Sequence, residues 1–309
     1  MKRVIKRYLN RFLKTEQREA LKRFLFWRKK INYDATLHWC VNEYTCNLNC
    51  VYCPFPHTKG KTSEIDSSAL VRTIDKTGKI FRIALCGNGE PFLVPNIIEA
   101  CTEITKRHYI SLVTNLVSKK IEEFCKKINP RKVLFILASL HIKELERDNL
   151  TDRFVHNFLL CQKKKFSIRA QEVAYPSLLS DAAKYKKFFR KKGIELYFDE
   201  FCGKYKGKSY PDAYTNEERK KIGLISKKNS IRKRFQYEKF CNAGYNTGFV
   251  FKQHVYPCFQ IKEKIGNIYG EKIELKTKMI KCPYKICQCP INMLDDYLFK
   301  KALEENKRT

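Results

Sequence analysis

Cys46-Asn47-Leu48-Asn49-Cys50-Val51-Tyr52-Cys53 places three thiols within eight residues, directly after the β-rich run at 36–42. The spacing C-x3-C-x2-C supplies three ligands. An ordinary iron–sulfur site takes four cysteines, and a structural zinc site is also closed by four. The loop therefore reads as a cluster with one iron left open for another molecule. Structural zinc ligands and reduced core thiols are the plainer readings of the same residues.

Outward from this loop the pattern alternates strand and helix. Strands are expected at 36–42, 80–85, 109–114, 133–138, 166–174 and 194–200. Helices are expected at 64–76, 96–106, 119–128 and 152–163, and from Ser180 as N-cap to Gly193 just past the end. Six such βα repeats predict a parallel sheet with helices outside it. The continuous apolar run at 133–138 suits a strand buried on both faces. In this architecture functional residues sit on loops at the carboxyl ends of strands. The cysteine loop follows the first strand, and Gly87-Asn88-Gly89-Glu90-Pro91 follows the second.

A chain of 309 residues predicts one large domain with smaller additions. The expected division is a basic amphipathic helical arm at 1–34, a core at 35–225 and a small cysteine-rich domain at 226–309. Thr215 and Glu218 form a capping box that opens a helix just before the second boundary. No run of about 18 apolar residues is present, so no membrane-spanning helix is expected. The charged N-terminus lacks an apolar stretch and a small-residue cleavage site, so it does not read as a secretory signal. A cytoplasmic location follows, where 14 cysteines are metal ligands or core thiols rather than disulfides.

The net charge of +31 attracts polyanions. Residues 1–30 hold 12 Lys and Arg against Glu16 and Glu19, and a second basic run spans 227–234. The arm suits an anionic membrane surface or RNA, or alternatively covers an open end of the sheet with its apolar stripe.

The cysteine loop and the glycine loop together resemble the radical S-adenosylmethionine (SAM) superfamily. The resemblance covers 35–201 and implies a partial (β/α)6 barrel. It implies that Cys46, Cys50 and Cys53 hold a four-iron four-sulfur cluster whose open iron is chelated by SAM. Tyr52 would then pack near the adenine, and Gly87, Gly89 and Glu90 would contact the SAM amino group. Asn115 and Ser139, after the third and fourth strands, would meet methionine or ribose atoms. Asn88 departs from the commonest form of the glycine motif, which has Gly there. The chemistry implied is electron transfer from the cluster into the sulfonium, giving a 5′-deoxyadenosyl radical that abstracts hydrogen from a C–H bond. Chelation makes this an oriented unimolecular step, and the cofactor carries the difficult chemistry.

A second thiol group comprises Cys241, Cys258, Cys282, Cys287 and Cys289. Cys241-Asn-Ala-Gly244, Tyr256-Pro257-Cys258 and Gly266-Asn267-Ile268 resemble the auxiliary-cluster domains called SPASM or, when shortened, twitch. This implies one further four-iron cluster on four of the five thiols, able to accept an electron from a substrate. Zinc on the same thiolates is the alternative. Cys86 and Cys202 flank functional loops and are candidate hydrogen donors. Arg169, Gln171, Glu172, Asp199 and Glu200 on the last two strands are candidate substrate contacts, with surface pairing as the alternative. His38 and His141 read as structural.

The expected activity is an oxidoreductase reaction at a C–H bond of a small polar substrate, such as a sugar or nucleotide derivative. A flavodoxin or ferredoxin would be the reductant. Peptide or RNA modification are alternatives, and a non-catalytic, zinc-stabilised nucleic-acid-binding protein is the rival from another class.

Overall fold

The six apolar runs are strands, and the segments between them are helices. The computed structural model describes residues 32–55, 62–223, 234–235, 237–270, 272–287, 298, 301–302 and 305. In it β1 (Ala35–Cys40), β2 (Phe81–Cys86), β3 (Tyr109–Thr114), β4 (Val133–Ser139), β5 (Ile168–Val173) and β6 (Leu196–Asp199) lie side by side, all parallel. Between them run α1 (Ser67–Asp75), α2 (Ile97–Arg107), α3 (Lys120–Lys127), α4 (Ile142–Arg147), α5 (Thr151–Lys163) and α6 (Ala182–Lys191).

Every residue of β1 and β2 is buried, because both faces of the sheet are covered. Leu37, Ile83, Leu112, Ile136, Ala170 and Leu196 form one core with Leu70, Ile104, Phe124, Phe158 and Phe189 of the helices. Each fully buried aromatic side chain of this kind stabilises the fold by roughly 1.5–3 kcal/mol. The strand registers put Thr36, His38, Ser111, Gln171 and Asp199 together on the opposite face of the sheet.

Two sequence expectations need correction. The helix expected from Ser180 begins at Ala182 with Asp181 as its N-cap, after a 3-10 turn at Pro176–Leu178 that ends on Leu179. A short helix, α4, stands between β4 and α5 where none was expected. The capping box is present as read: Glu218 N donates to Thr215 Oγ1 at 3.1 Å, and Thr215 N donates to Glu218 Oε2 at 2.8 Å. It opens α7 (Asn216–Ile222), which ends on Gly223 in the left-handed region at φ 81°.

Beyond β6 come the hairpin β7 (Gly203–Tyr205) and β8 (Lys208–Tyr210), then β9 (Arg234–Phe235) and β10 (Phe240–Cys241). β11 (Thr247–Phe251) lies parallel to β1, with Thr36 opposite Thr247 and Trp39 opposite Val250. β12 (His254–Tyr256) and β13 (Gly266–Asn267) continue antiparallel, giving the order β13-β12-β11-β1-β2-β3-β4-β5-β6. β14 (Ile280–Lys281) pairs with β10, and β15 (Ile286–Cys287) pairs with β9. Part of the cysteine-rich region therefore extends the main sheet, and Asp34–Thr309 form one compact unit.

Residues 1–31 of the basic arm, residues 227–233 of the second basic run, the boundary near 226, and Cys289 lie outside the described residues. Among the described residues, no helix is long and apolar enough to cross a membrane.

Candidate active site and its metal-ligand groups

Parallel strands deliver their following loops to one end of the sheet, and the cysteine loop and glycine loop meet there. Glu90 N donates to Thr45 O at 3.0 Å. A Cβ on Gly89 would overlap that same Thr45 carbonyl and lie 3.1 Å from Asn42 O. A Cβ on Gly87, whose φ is 130°, would lie 2.8 Å from Cys40 Cα. Both glycines are thus required by close backbone approach. Asn42 Nδ2 donates to Glu90 O at 2.8 Å and closes the same seam.

Glu90 itself is turned into the protein. Its Oε1 accepts from Thr114 Oγ1 at 2.7 Å and from Phe92 N at 3.0 Å, while Oε2 accepts from Asn115 N at 2.7 Å. Burial raises its pKa, and these three donors act in the opposite direction. Asn115 Nδ2 donates to Asn47 Oδ1 at 2.7 Å and lies 4.0 Å from Cys46 Sγ. Ser139 closes β4 opposite Gln171, half-buried.

Tyr52 Oη donates to Glu172 Oε1 at 3.2 Å and lies 2.7 Å from His141 Nδ1. Its ring stacks on His141 with centroids 5.9 Å apart and tilts against Tyr175 at 5.3 Å. His141 adopts a left-handed φ of 49°, and desolvation lowers its pKa to about 4.

The thiols of Cys46, Cys50 and Cys53 sense one another. Burial pushes Cys46 and Cys50 up, and charge on the other loop cysteines adds to the effect. Among the described residues, no group of three or more His, Cys, Asp or Glu is arranged to hold a single metal ion. A polynuclear cluster asks for something different, one thiolate per iron. Three thiols on one largely buried loop suit that donor set, because bound cationic iron would offset the desolvation that raises Cys46 and Cys50.

The second thiol group is likewise drawn together. Burial raises Cys241 to about 11, with charge on Cys282, Cys258 and Cys287 contributing. Cys258 is raised by burial and by Cys287 and Cys282. Cys258 and Cys287 also pack against the pair Cys40 and Phe249, which places this group beside the end of β1. Cys258 and Cys287 thus pack on one hydrophobic cluster, and Cys241 lies within range of the charge on Cys258, Cys282 and Cys287.

The remaining candidates divide. Cys40, Cys86, Cys101, Cys125 and Cys161 are buried in strands and helices, and Cys202 is half-buried after β6. Gln171 Nε2 donates to Asp199 Oδ2 at 2.8 Å on the face opposite the helices, where the Arg169 guanidinium lies 4.0 Å from the Tyr197 ring centroid. Glu200 pairs with buried Arg219 at 3.3 Å. Glu172 belongs to the helix-covered face at 1% exposure. His38 is 3% exposed, and neither ring nitrogen has a hydrogen-bond partner among the described residues. Thr45, Asn47, Thr114 and Glu144 escaped the sequence reading. Of these, only Thr114, adjoining Asn115, carried any local signal.

The fold is similar to that of solved proteins seen with bound S-adenosylmethionine (AdoMet). The family model described as the radical SAM superfamily matches residues 44–166, the stretch that holds the cysteine loop and the glycine loop. Among solved structures, native anSMEcpe with bound AdoMet superposes with a TM-score of 0.54 at 18% identity, over 76% of this chain and 78% of that one. Streptococcus suis SuiB bound to precursor peptide SuiA gives 0.52 at 15% identity, over 79% of this chain and 64% of that one. None of the curated proteins compared matches the chain.

Proposed function

We propose that this chain reductively cleaves AdoMet and abstracts hydrogen from a C–H bond of a small polar substrate, such as a sugar or nucleotide derivative. The observation that carries this reading is the seam between Thr45 and Glu90, which locks a three-thiol loop against a glycine loop. A four-iron cluster on Cys46, Cys50 and Cys53, when bound, supplies an electron and an open iron for the amino and carboxylate groups of AdoMet. The chain's own residues do the positioning. Gly87 and Gly89 let the glycine backbone lie against the cysteine loop, Asn115 braces Asn47, and Tyr52 forms a wall with His141 and Tyr175. Ser139, Gln171 and Asp199 offer hydroxyl, amide and carboxylate groups toward the barrel interior, which matches a hydroxyl-rich substrate.

Cys241, Cys258, Cys282 and Cys287 support a second thiolate-held cluster that accepts an electron from the substrate, making the net reaction a two-electron oxidation. The charge of +31 supports docking of an acidic flavodoxin or ferredoxin as reductant. A second reading, modification of a peptide, is favoured by relatives of the same fold. SuiB is seen with a precursor peptide, and anSMEcpe with AdoMet and the Cp18Cys peptide.

Anaerobic reconstitution with iron and sulfide tests the reading. About eight irons per chain are expected for two four-iron clusters, with 5′-deoxyadenosine and methionine formed on reduction with AdoMet. Cys50→Ala should abolish that cleavage. Bound zinc with no cleavage, together with salt-sensitive RNA retention, would replace the enzyme by a nucleic-acid-binding protein. Deuterium moving into 5′-deoxyadenosine from labelled sugars, or from labelled peptides, decides between the substrate classes.

A further inference from the structure

The cysteine loop is held at two places by two different halves of the sheet. Its first half is fastened from β2 and β3. Glu90 N donates to Thr45 O, and Asn115 Nδ2 donates to Asn47 Oδ1. Those bonds flank Cys46. Its second half is fastened from β4 and β5. Glu144, 2% exposed on α4, lies close enough to the backbone N–H of Val51 for that N–H to lower its pKa. Glu172 on β5 accepts from Tyr52 Oη, with His141 Nδ1 on the same hydroxyl. Those bonds lie between Cys50 and Cys53.

Glu172 is the hub of the second fastening. Besides Tyr52 it accepts from Ile142 N at 2.6 Å through Oε2 and from Val173 N at 2.8 Å through Oε1. One carboxylate thus joins the cysteine loop, the first turn of α4 and the end of β5. It lies on the helix-covered face, so it reaches the site from behind the strands and not from the barrel interior. A buried carboxylate is costly unless it is satisfied, and what satisfies it here includes the hydroxyl between two nominated cluster ligands.

We propose that Glu172 is a positioning residue. By fixing Tyr52 it sets where Cys50 and Cys53 point, whereas Cys46 is set independently by the first fastening. The use of that geometry to hold a cluster rests on the proposed function, but the geometry is testable without any metal.

The test follows alkylation of each cysteine by iodoacetamide in the metal-free, reduced chain, read by mass spectrometry. Tyr52→Phe removes one oxygen only and serves where Glu172→Ala fails to fold. Both variants should speed alkylation of Cys50 and Cys53 roughly five- to tenfold, the equivalent of one lost hydrogen bond. Cys46 should stay within about twofold of the wild-type chain on the same argument. The double variant should add nothing to the single ones. Equal acceleration at all three cysteines, or at none, overturns the proposal. In reconstituted protein, Tyr52→Phe should lose iron to a chelator faster and shift the electron paramagnetic resonance signal of the reduced cluster. A wild-type chain that takes up no iron sinks the functional reading, and the alkylation pattern then decides the positioning claim by itself.

Discussion

Glu90 Oε2 accepts the backbone N–H of Asn115 at 2.7 Å, so the loops after β2 and β3 are one hydrogen-bonded unit. The same carboxylate takes Thr114 Oγ1 and Phe92 N on its other oxygen. Its side chain is therefore committed to the protein. Glu90→Ala strands three buried donors, each costing about 1–3 kcal/mol when left without a partner. Urea unfolding of the metal-free variant should show a loss of about 3 kcal/mol or more. Glu90→Gln, which keeps one acceptor oxygen, should lose about half as much. No loss in the alanine variant would mean that the carboxylate is free to leave this network.

The two kinds of glycine in the chain should respond differently. Gly89→Ala drives a methyl into the Thr45 carbonyl, which is backbone and cannot swing away. About 2–3 kcal/mol of destabilisation is expected, with the cysteine loop displaced and Cys46 more reactive to alkylation. Gly78 also has a positive φ, 71°, but a Cβ added there would meet nothing within 4 Å. Gly78→Ala should cost only the left-handed backbone penalty, about 1 kcal/mol, and leave Cys46 unchanged.

The strands of the partial barrel were legible because strands buried on both faces leave continuous apolar runs such as Val133–Ser139. The loops that carry the cysteines and glycines then followed from strand direction. β11 was not legible as a neighbour of β1, because the pairing of Thr36 with Thr247 is a long-range contact without local signature. α4 was hidden by its length of six residues and its charged composition. The face of Glu172 was also hidden. A period of two sorts β5 into two sets but does not say which set meets the helices, and burial of Ala170 beside Glu172 settles it.

The grouping of the C-terminal thiols allows the two proposed clusters to be tested separately. Cys241 and Cys258 are each raised by burial and by charge on Cys282 and Cys287. Cys258→Ala should therefore lower reconstituted iron from about eight to about four per chain. Cleavage of AdoMet to 5′-deoxyadenosine should persist, while oxidation of the substrate fails. Loss of both activities together would tie the two thiol groups into one functional centre.

His38 should make the fold sensitive to acid. Desolvation lowers its pKa from 6.5 to about 3, with the nearby Arg82 charge adding to the effect. The folded chain therefore keeps the ring neutral at a pH where the unfolded chain binds a proton. Stability from this group is fully present above pH 6.5 and is lost as the pH falls from there toward 3. At pH 5 the loss is about 2 kcal/mol. His38→Leu removes both the titration and two buried nitrogens that lack partners among the described residues, so it should be at least as stable as the wild-type chain at pH 8. Urea unfolding of the two metal-free chains at pH 8 and pH 5 reads the difference. The leucine variant should gain about 2 kcal/mol over the wild-type chain between those conditions, and parallel losses in both chains would show that His38 takes up its proton without unfolding.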